Sequence, residues 1–167
     1  MPAFRISFGR IDPEVLSREL ADDRAGGFVS FEGRVRSRTG GRKIRALEYE
    51  AYGELAAKEG RRIMSEARRR FAIRGAACVH RVGRLRLGEI AVWVGVAAEH
   101  RDAAFGACRY IIDQVKARVP IWKKEHPAAG PSRWVKPVSA AETSAAFGEK
   151  GKTCGCSQSA RVHPRGR

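Results

Sequence analysis

The clearest hydrophobic pattern in the chain lies between His100 and Glu125. Apolar residues recur there at steps of three and four, which is the spacing of one buried face of an α-helix. The positions on this predicted face are Ala104, Cys108, Ile111, Ile112, Val115 and Val119. Because Pro120 cannot continue a helix, the sequence predicts one amphipathic helix over residues 101–119.

Cations accompany this helix. Lys116 follows Ile112 by one turn and precedes Val119 by one turn, so it lies at the edge of the buried face, an unusual place for a lysine. Further cations stand at the start of the helix and after the proline, namely His100, Arg101, Lys123 and Lys124. Such a cluster, interleaved with apolar groups, indicates a site for an anionic ligand.

The remaining hydrophobic patterns predict a mixed set of elements. A strand over residues 4–8 precedes a short helix capped by Asp12, and strands over residues 28–36 and 44–51 are expected to pair as a hairpin around a mobile loop. A helix over residues 53–71 follows, then strands over 75–82 and 89–98, the second covered on both faces, and a last strand over 132–138. This order predicts an α+β domain with largely antiparallel pairing and two long helices.

One globular domain, residues 1–139, accounts for all of these elements. Residues 140–167 are poor in large apolar side chains and rich in glycine, serine and cations, so we expect a disordered basic tail. Cys154 and Cys156 fall in this tail, whereas Cys78 and Cys108 fall in predicted core elements. Four zinc ligands at a recognisable spacing are absent from the sequence, which predicts reduced thiols and no metal.

The charge balance narrows the class of partner. The 33 Lys and Arg residues exceed the 18 Asp and Glu residues, giving a net charge of +15. Nucleic acid, phosphorylated small molecules and acidic proteins all fit this charge. Several arginines have a plainer interpretation as the solvated face of the second helix: Arg61, Arg62, Arg68, Arg69 and Arg70. No apolar run reaches the roughly 18 residues of a membrane span and the N-terminus has no signal-peptide core, so we expect a cytoplasmic protein without membrane contact.

Familiar catalytic motifs are missing. The sequence has neither a Gly-rich phosphate loop ending in Lys-Ser/Thr nor a G-x-S-x-G segment, which disfavours kinases and hydrolases. The remaining candidate chemistry is cationic. A lysine held among apolar groups and other cations, as Lys116 is predicted to be with Arg101 on the same side of the helix, is favoured as a neutral amine that acts as a nucleophile or base.

Several strings, taken together and in order, resemble the large, catalytic subunit of molybdopterin synthase. They run from Gly26 to Val135 and read GGFVSFEGRVR, ALEYEAY, EARRRF, HRVGRLRLGE, VGVAAEHRDAAFGAC, VKARVPIWKKE and RWV. The tail does not resemble that family, and the loop over residues 37–43 is more basic than expected.

The resemblance implies an α/β hammerhead fold and a central homodimer with a small ubiquitin-like sulfur carrier at each end, a heterotetramer. The Gly-Gly tail of the carrier bears a thiocarboxylate and inserts into the large subunit. Two sulfurs then pass, in successive rounds, to cyclic pyranopterin monophosphate, which forms the dithiolene of molybdopterin. No cofactor is implied.

Carried over by residue, the resemblance also implies a site. The substrate-contacting positions are Arg34, Val35, Arg36, His100, Arg101, Lys116, Lys123, Lys124, Glu125 and Arg133, the last of them lent across the dimer. Lys116 assists sulfur transfer as a base or as a transient acyl acceptor, and Lys123 stabilises developing negative charge. Phe31 and Ile112 are pocket walls or plain core residues.

Two other functions compete with this interpretation. A basic RNA- or DNA-binding module fits the charge, although such a module usually presents exposed aromatic residues on a sheet, which nothing here marks. A non-catalytic adaptor for a ubiquitin-like protein would keep the pocket and transfer nothing. The intact Lys116 and Lys123 favour the enzyme.

Overall fold

The computed structural model describes residues 3–135, which form three helices and nine strands. The helices are α1 (Pro13–Glu19), α2 (Gly53–Arg70) and α3 (Arg101–Arg118). The strands are β1 (Ala3–Ser7), β2 (Gly27–Arg34), β3 (Arg38–Thr39), β4 (Arg42–Ala51), β5 (Ile73–Arg81), β6 (Gly83–Arg86), β7 (Ile90–Ala98), β8 (Ile121–Pro127) and β9 (Arg133–Val135). The predicted tail over residues 140–167, with Cys154 and Cys156, lies outside the described residues.

The first sheet has the strand order β1-β5-β7-β2. β2 and β5 both run antiparallel to β7, whereas β1 runs parallel to β5. Helices α2 and α3 pack on one face of this sheet and α1 packs on the other, against Trp93. Because both faces are covered, β7 is buried from Ala91 to Ala98, which confirms the prediction from its unbroken apolar run. The predicted α+β class is likewise confirmed.

The second sheet has the order β3-β4-β8-β9, and β6 also pairs with β4. A small core joins the two sheets: Leu47 and Leu85 from the second sheet pack with Ala91 from the first, together with Val35 from the connection after β2. The second sheet meets the end of α3, because Ile121 at the start of β8 packs against the main core that contains Val115 and Val119. It is there that most of the predicted site residues lie.

Helix α3 follows the predicted pattern closely. It begins after an extended His100 and ends at Arg118, one residue before the predicted end, and Pro120 prevents its continuation. Every residue of the predicted apolar face is buried. No helix within residues 3–135 is long and apolar enough to cross a membrane.

Arg118 ties the last turn of α3 to α2. Its Nε donates to Glu59 at 2.7 Å and its Nη1 donates to Glu66 at 2.6 Å, while the Tyr110 hydroxyl donates to Glu66 at 2.9 Å. The two hydrogen bonds to Glu66, of which that from Arg118 has the larger effect, lower the pKa of Glu66 to about 2. The α2 arginines interpreted as solvated from the sequence are exposed, which confirms that interpretation.

The predicted hairpin between residues 28–36 and 44–51 is wrong. β2 pairs with β7, and β4 pairs with β6 and β8 in the other sheet. The chain crosses between the sheets at Val35, whose burial between them fixes the crossing. The intervening loop is not wholly irregular, because β3 pairs with the start of β4 around Gly40 and Gly41, whose positive φ angles suit a tight turn.

Two strands were missed, β6 and β8. In β6 the only buried residue is Leu85, set among arginines, and in β8 the only buried residue is Glu125. Neither segment shows the apolar alternation by which strands are recognised in a sequence. Both are held by backbone pairing to β4 rather than by an apolar face of their own.

Candidate functional site

Lys116 lies in the last turn of α3, above the first sheet. Its Nζ is 5.6 Å from the centroid of the Phe31 ring, which is half-buried on β2. An ammonium over an aromatic face is attracted by the negative ring quadrupole, so Phe31 gives the amine a resting position. The Lys116 side chain is exposed, however, so a single chain does not desolvate the amine as its helical position suggested. Ile112, the other predicted wall, is buried in the main core.

Glu125 anchors a second pair of cations. Its carboxylate is 2% exposed, Lys123 Nζ lies 3.2 Å from its Oε1, and Arg133 Nη2 donates to its Oε2 at 3.3 Å. Lys123 and Glu125 share one face of β8 because they are two residues apart, and the pairing of β8 with β9 places Arg133 opposite Glu125. The Lys123 contact is outside hydrogen-bond geometry, so Oε1 has no hydrogen-bond partner among the described residues. The buried carboxylate therefore holds two cations at the sheet junction.

Lys124 points away from this group. Successive residues of a strand point to opposite faces, so Lys124 lies on the other side of the second sheet. There its Nζ is 5.3 Å from the centroid of the Trp134 ring and 4.0 Å from Glu48 Oε2. The structure thus separates Lys124 from Lys123 and Glu125, although the three are adjacent in sequence.

Arg34, Val35 and Arg36 follow one another at the end of β2 but differ in their surroundings. Arg34 donates through Nε to Glu32 at 2.9 Å and through Nη1 to the Gly88 carbonyl at 3.2 Å. Val35 is buried, and its amide donates to the Glu89 carbonyl at 3.0 Å. Arg36 is exposed and forms no hydrogen bond or ion pair within residues 3–135. It is the member of the three that is free to take an anion.

His100 and Arg101 lie at the opposite end of α3 from Lys116. Both side chains are largely exposed, at 84% and 85%, and within residues 3–135 the one ion pair of Arg101 is with Asp102, at 4.0 Å. Fifteen helical steps separate Arg101 from Lys116, which corresponds to about 22 Å along the helix axis. One small ligand cannot touch both ends within a single chain, so the structure divides the predicted site residues into two groups.

Two residues that sequence reasoning missed complete the junction, Tyr49 and His80. Their rings meet edge to face, with centroids 5.2 Å apart and planes at 71°. Tyr49 is opposite Lys123 in the pairing of β4 with β8. Burial, aided by the nearby Glu125 carboxylate, raises the pKa of Tyr49 to about 12. Both strands carry several other polar residues, so no pattern within either strand marks these two side chains.

His80 connects this pair to Lys116. Burial lowers the pKa of His80 to about 4; the hydrogen bond with Arg81 opposes that shift and the nearby Lys116 cation adds to it. The junction therefore offers an exposed amine, a neutral imidazole, a protonated phenol and a pair of cations on a buried carboxylate. Such a set can bind an anionic carbonyl compound and supply an amine for acyl or proton transfer. Within residues 3–135, no group of three or more His, Cys, Asp or Glu side chains could hold a metal ion.

Comparisons with known proteins agree on one family. The family model described as MoaE protein matches residues 6–118. A molybdopterin synthase catalytic subunit from Pyrococcus abyssi is 49% identical over 64% of this chain and 72% of its own length, and one from Nostoc sp. is 41% identical over 85% and 86%.

Two solved structures share the fold. Molybdopterin synthase from Staphylococcus aureus has a TM-score of 0.74 and 37% sequence identity, covering 78% of this chain and 95% of its own. A complex of subunits 1 and 2 of molybdopterin-converting factor from Helicobacter pylori has a TM-score of 0.67 and 21% identity, covering 81% and 92%. At that identity the second likeness concerns the fold alone.

Proposed function

The chain belongs to the MoaE protein family, and from that premise we propose that it is the catalytic subunit of a molybdopterin synthase. It transfers sulfur from the C-terminal thiocarboxylate of a small ubiquitin-like carrier to cyclic pyranopterin monophosphate, forming the dithiolene of molybdopterin. The observation that carries the proposal is the junction itself. Lys116 over Phe31 provides an amine, and Lys123 with Arg133 on the buried Glu125 provides an anion-stabilising pair on separate elements.

The amine of Lys116 has the chemistry for the carrier's acyl group. The thiocarboxylate sulfur first bonds to a pterin carbon and displaces an oxygen leaving group from it. As a nucleophile, the neutral amine of Lys116 then attacks the acyl carbon of this adduct, the acyl carbon–sulfur bond breaks, and the sulfur stays on the pterin as a thiolate. Water then hydrolyses the resulting amide and frees the carrier as a carboxylate. As a base, Lys116 instead takes the proton from the water that attacks an acyl–sulfur–pterin adduct. The inserted carrier tail would supply the desolvation that the single chain lacks.

Lys123 lies where negative charge develops on the acyl oxygen. Its ion pair with Glu125 fixes the ammonium, so little reorganisation is needed during the reaction. Glu125 is buried beneath this cation, which makes it a support for the cation rather than a direct substrate contact. Arg133 is held by the same carboxylate and remains about half exposed, so its free edge is available to substrate within its own chain.

The cyclic phosphate requires further cations. Arg36 is free for this role, and the exposed pair of His100 and Arg101 lies at the N-terminal end of a helix, where anions are favoured. Because that pair is about 22 Å from Lys116 on the same helix, we propose that a second copy of the chain supplies it. The working assembly is then a homodimer bearing one carrier at each end. The free thiols of Cys78 and Cys108 suit the cytoplasm.

Reconstitution tests the proposed function. The purified chain is mixed with a carrier bearing a C-terminal thiocarboxylate and with cyclic pyranopterin monophosphate, and molybdopterin is quantified in a single turnover. We expect product with the thiocarboxylate and none with the carboxylate form of the same carrier. Carrier binding without product would instead identify a non-catalytic adaptor. Tight, salt-resistant binding to one RNA would favour a nucleic-acid module.

A further inference from the structure

His80 is a buried polar side chain to which the proposed reaction gives no role. It is 8% exposed and, with Glu125, is one of two buried polar side chains within residues 3–135. On β5 it lies between Ile6 of β1 and Val92 of β7, neither of which can titrate or form a side-chain hydrogen bond. The groups that can interact with it come from other elements: Lys116 on α3, Tyr49 on β4 and, behind Tyr49, Glu125 on β8.

The hydrogen bonding of His80 fixes its tautomer. Its Nδ1 lies 2.9 Å from the carbonyl oxygen of Arg81. A carbonyl oxygen only accepts, so Nδ1 carries the hydrogen and donates it. In the neutral ring Nε2 then keeps its lone pair and can accept a hydrogen bond. Because burial lowers the pKa of His80 to about 4, the neutral ring is the form present near pH 7.

The orientation of the ring is also fixed. Tyr49 meets it edge to face, and the Arg81 carbonyl holds its Nδ1, so rotation about the side chain is blocked from two directions. His80 faces the side of the first sheet on which α3 packs, because Cys78, two residues back on β5, belongs to the same core as Val115, the residue before Lys116 on α3. The Lys116 cation also contributes to the low pKa of His80. In this structure, however, the amine rests over Phe31. An exposed, flexible lysine thus has two neighbours that can receive its ammonium group, the Phe31 ring and His80.

We propose that His80 is the positioning residue of Lys116: in the loaded site, Nε2 of His80 accepts a hydrogen bond from Nζ of Lys116 and directs the amine toward the acyl carbon of the carrier. This inference rests on the proposed function. His80 is not the base that deprotonates Lys116, because an imidazole with a pKa of about 4 is far too weak to take a proton from a lysine ammonium. Its effect is on orientation, which weighs heavily in a reaction that needs close approach of two atoms.

Two substitutions of His80 test the roles of its two ring nitrogens separately. In His80→Asn the amide nitrogen stands near the place of Nδ1 and keeps the bond to Arg81, but nothing occupies the place of Nε2. In His80→Gln the longer side chain brings an amide oxygen near the place of Nε2. We expect His80→Asn to slow single-turnover sulfur transfer by about 10-fold or more at saturating carrier and pterin, with little change in pterin affinity. His80→Gln should restore most of the rate.

A double variant tests whether His80 acts through Lys116. In a Lys116→Ala background, His80→Asn should slow transfer no further, since the group that it positions is gone. Val79→Ala is the matched stability control: Val79 is the next residue back on β5 but packs under α1, so it should lower the melting temperature without changing the rate. An undiminished effect of His80→Asn in the Lys116→Ala background, or a wild-type rate in His80→Asn alone, would overturn the proposal.

Failure of the proposed function gives a different result. If the wild-type chain makes no product from an authentic thiocarboxylated carrier, the proposed function is wrong whatever the His80 variants do. The tautomer can be read independently of activity from the nitrogen NMR signals of His80 in the isolated chain. We expect a protonated Nδ1 and an unprotonated Nε2, and the opposite tautomer would remove the acceptor that the proposal requires.

Discussion

Lys123 and Glu125 form an ion pair whose two members differ in solvent exposure. Their charged atoms are 3.2 Å apart, yet the Glu125 side chain is 2% exposed whereas that of Lys123 is 27% exposed. Without its partner, the lysine could turn to water and the carboxylate could not. The cost of breaking the pair therefore depends on which member is removed.

This asymmetry predicts that Lys123→Met destabilises the fold more than Glu125→Gln does. Lys123→Met leaves a buried carboxylate with Arg133 alone, which should cost about 1–3 kcal/mol of unfolding free energy. Glu125→Gln leaves an amide that still accepts from Arg133, and the cost should be about 1 kcal/mol or less. Urea unfolding at pH 7 measures both. A larger loss in Glu125→Gln would contradict the burial argument.

Lys116→Ala should lower single-turnover sulfur transfer by a factor on the order of 10² or more, with the fold intact because the side chain is exposed. Lys116→Arg should fail as well, because arginine keeps its charge and cannot readily lose a proton. The matched control is Lys58→Ala on the exposed side of α2. A near wild-type rate in Lys116→Arg would reduce Lys116 to an electrostatic contact.

Mixing two impaired variants tests whether the site is divided between two chains. Lys116→Ala and Arg101→Ala should each be impaired alone, and a mixture allowed to exchange subunits should recover activity. With equal mixing, half of the dimers are mixed and each has one intact site, so recovery should approach about one quarter of the wild-type level. The readout is molybdopterin formed per chain. If activity does not recover after subunit exchange has been proven, Lys116 and Arg101 do not form one site across two chains. They would then either act within the same chain or serve separate functions.

His80 should make the protein less stable in mild acid. The pKa of His80 falls from 6.5 to about 4 on folding. Between pH 6.5 and pH 4 the imidazole therefore binds a proton in the unfolded chain but not in the folded chain. Stability is therefore unaffected above about pH 6.5 and falls as the pH drops toward 4. Between pH 7 and 4.5 the loss attributable to His80 should be about 2–3 kcal/mol. His80→Gln should lack that part of the loss in urea unfolding, whereas carboxyl contributions remain common to both proteins.

The contact between Arg118 and Glu66 should stabilise the folded protein. Arg118→Ala removes charge-assisted hydrogen bonds between α3 and α2, which should cost about 1–2 kcal/mol at pH 7. Because the pKa of Glu66 is lowered to about 2, its contribution is present above pH 4.5 and is lost as the pH falls toward 2. Arg118→Ala should therefore be less acid-sensitive than the wild type over that range.

The neighbouring Arg62 provides the control for this prediction. It lies 3.3 Å from the same carboxylate but is 70% exposed. Solvent screens such a pair, so Arg62→Ala should change the unfolding free energy by about 0.5 kcal/mol or less. Equal effects of the two arginines would show that the burial of Arg118 is unimportant.

Elements with an apolar period could be predicted from the sequence, and elements held by pairing alone could not. The apolar face of α3 and the unbroken run of β7 report directly on burial, so both were found within about a residue. β8 was not predicted because its single buried side chain is Glu125, whose burial depends on Lys123 and Arg133. The predicted pairing partner of β2 was wrong because closeness in sequence does not reveal which sheet a strand joins.

The candidate site shows the same limit. A resemblance identified the residue types, but their grouping depends on strand direction and helix length. Strand alternation separates Lys124 from Lys123, and the length of α3 separates Arg101 from Lys116. Tyr49 and His80 were missed because their contact joins two sheets, and no local pattern encodes a contact of that kind.

The length of α3 decides how substitutions would act in the proposed dimer. In that dimer the helix would carry anion-binding cations of one reaction centre in its first turn and the amine of the other centre in its last turn. It packs against β2, β5 and β7 of its own chain. Each copy of α3 would therefore contribute to both reaction centres, so a change in its first turn and a change in its last turn would impair different centres.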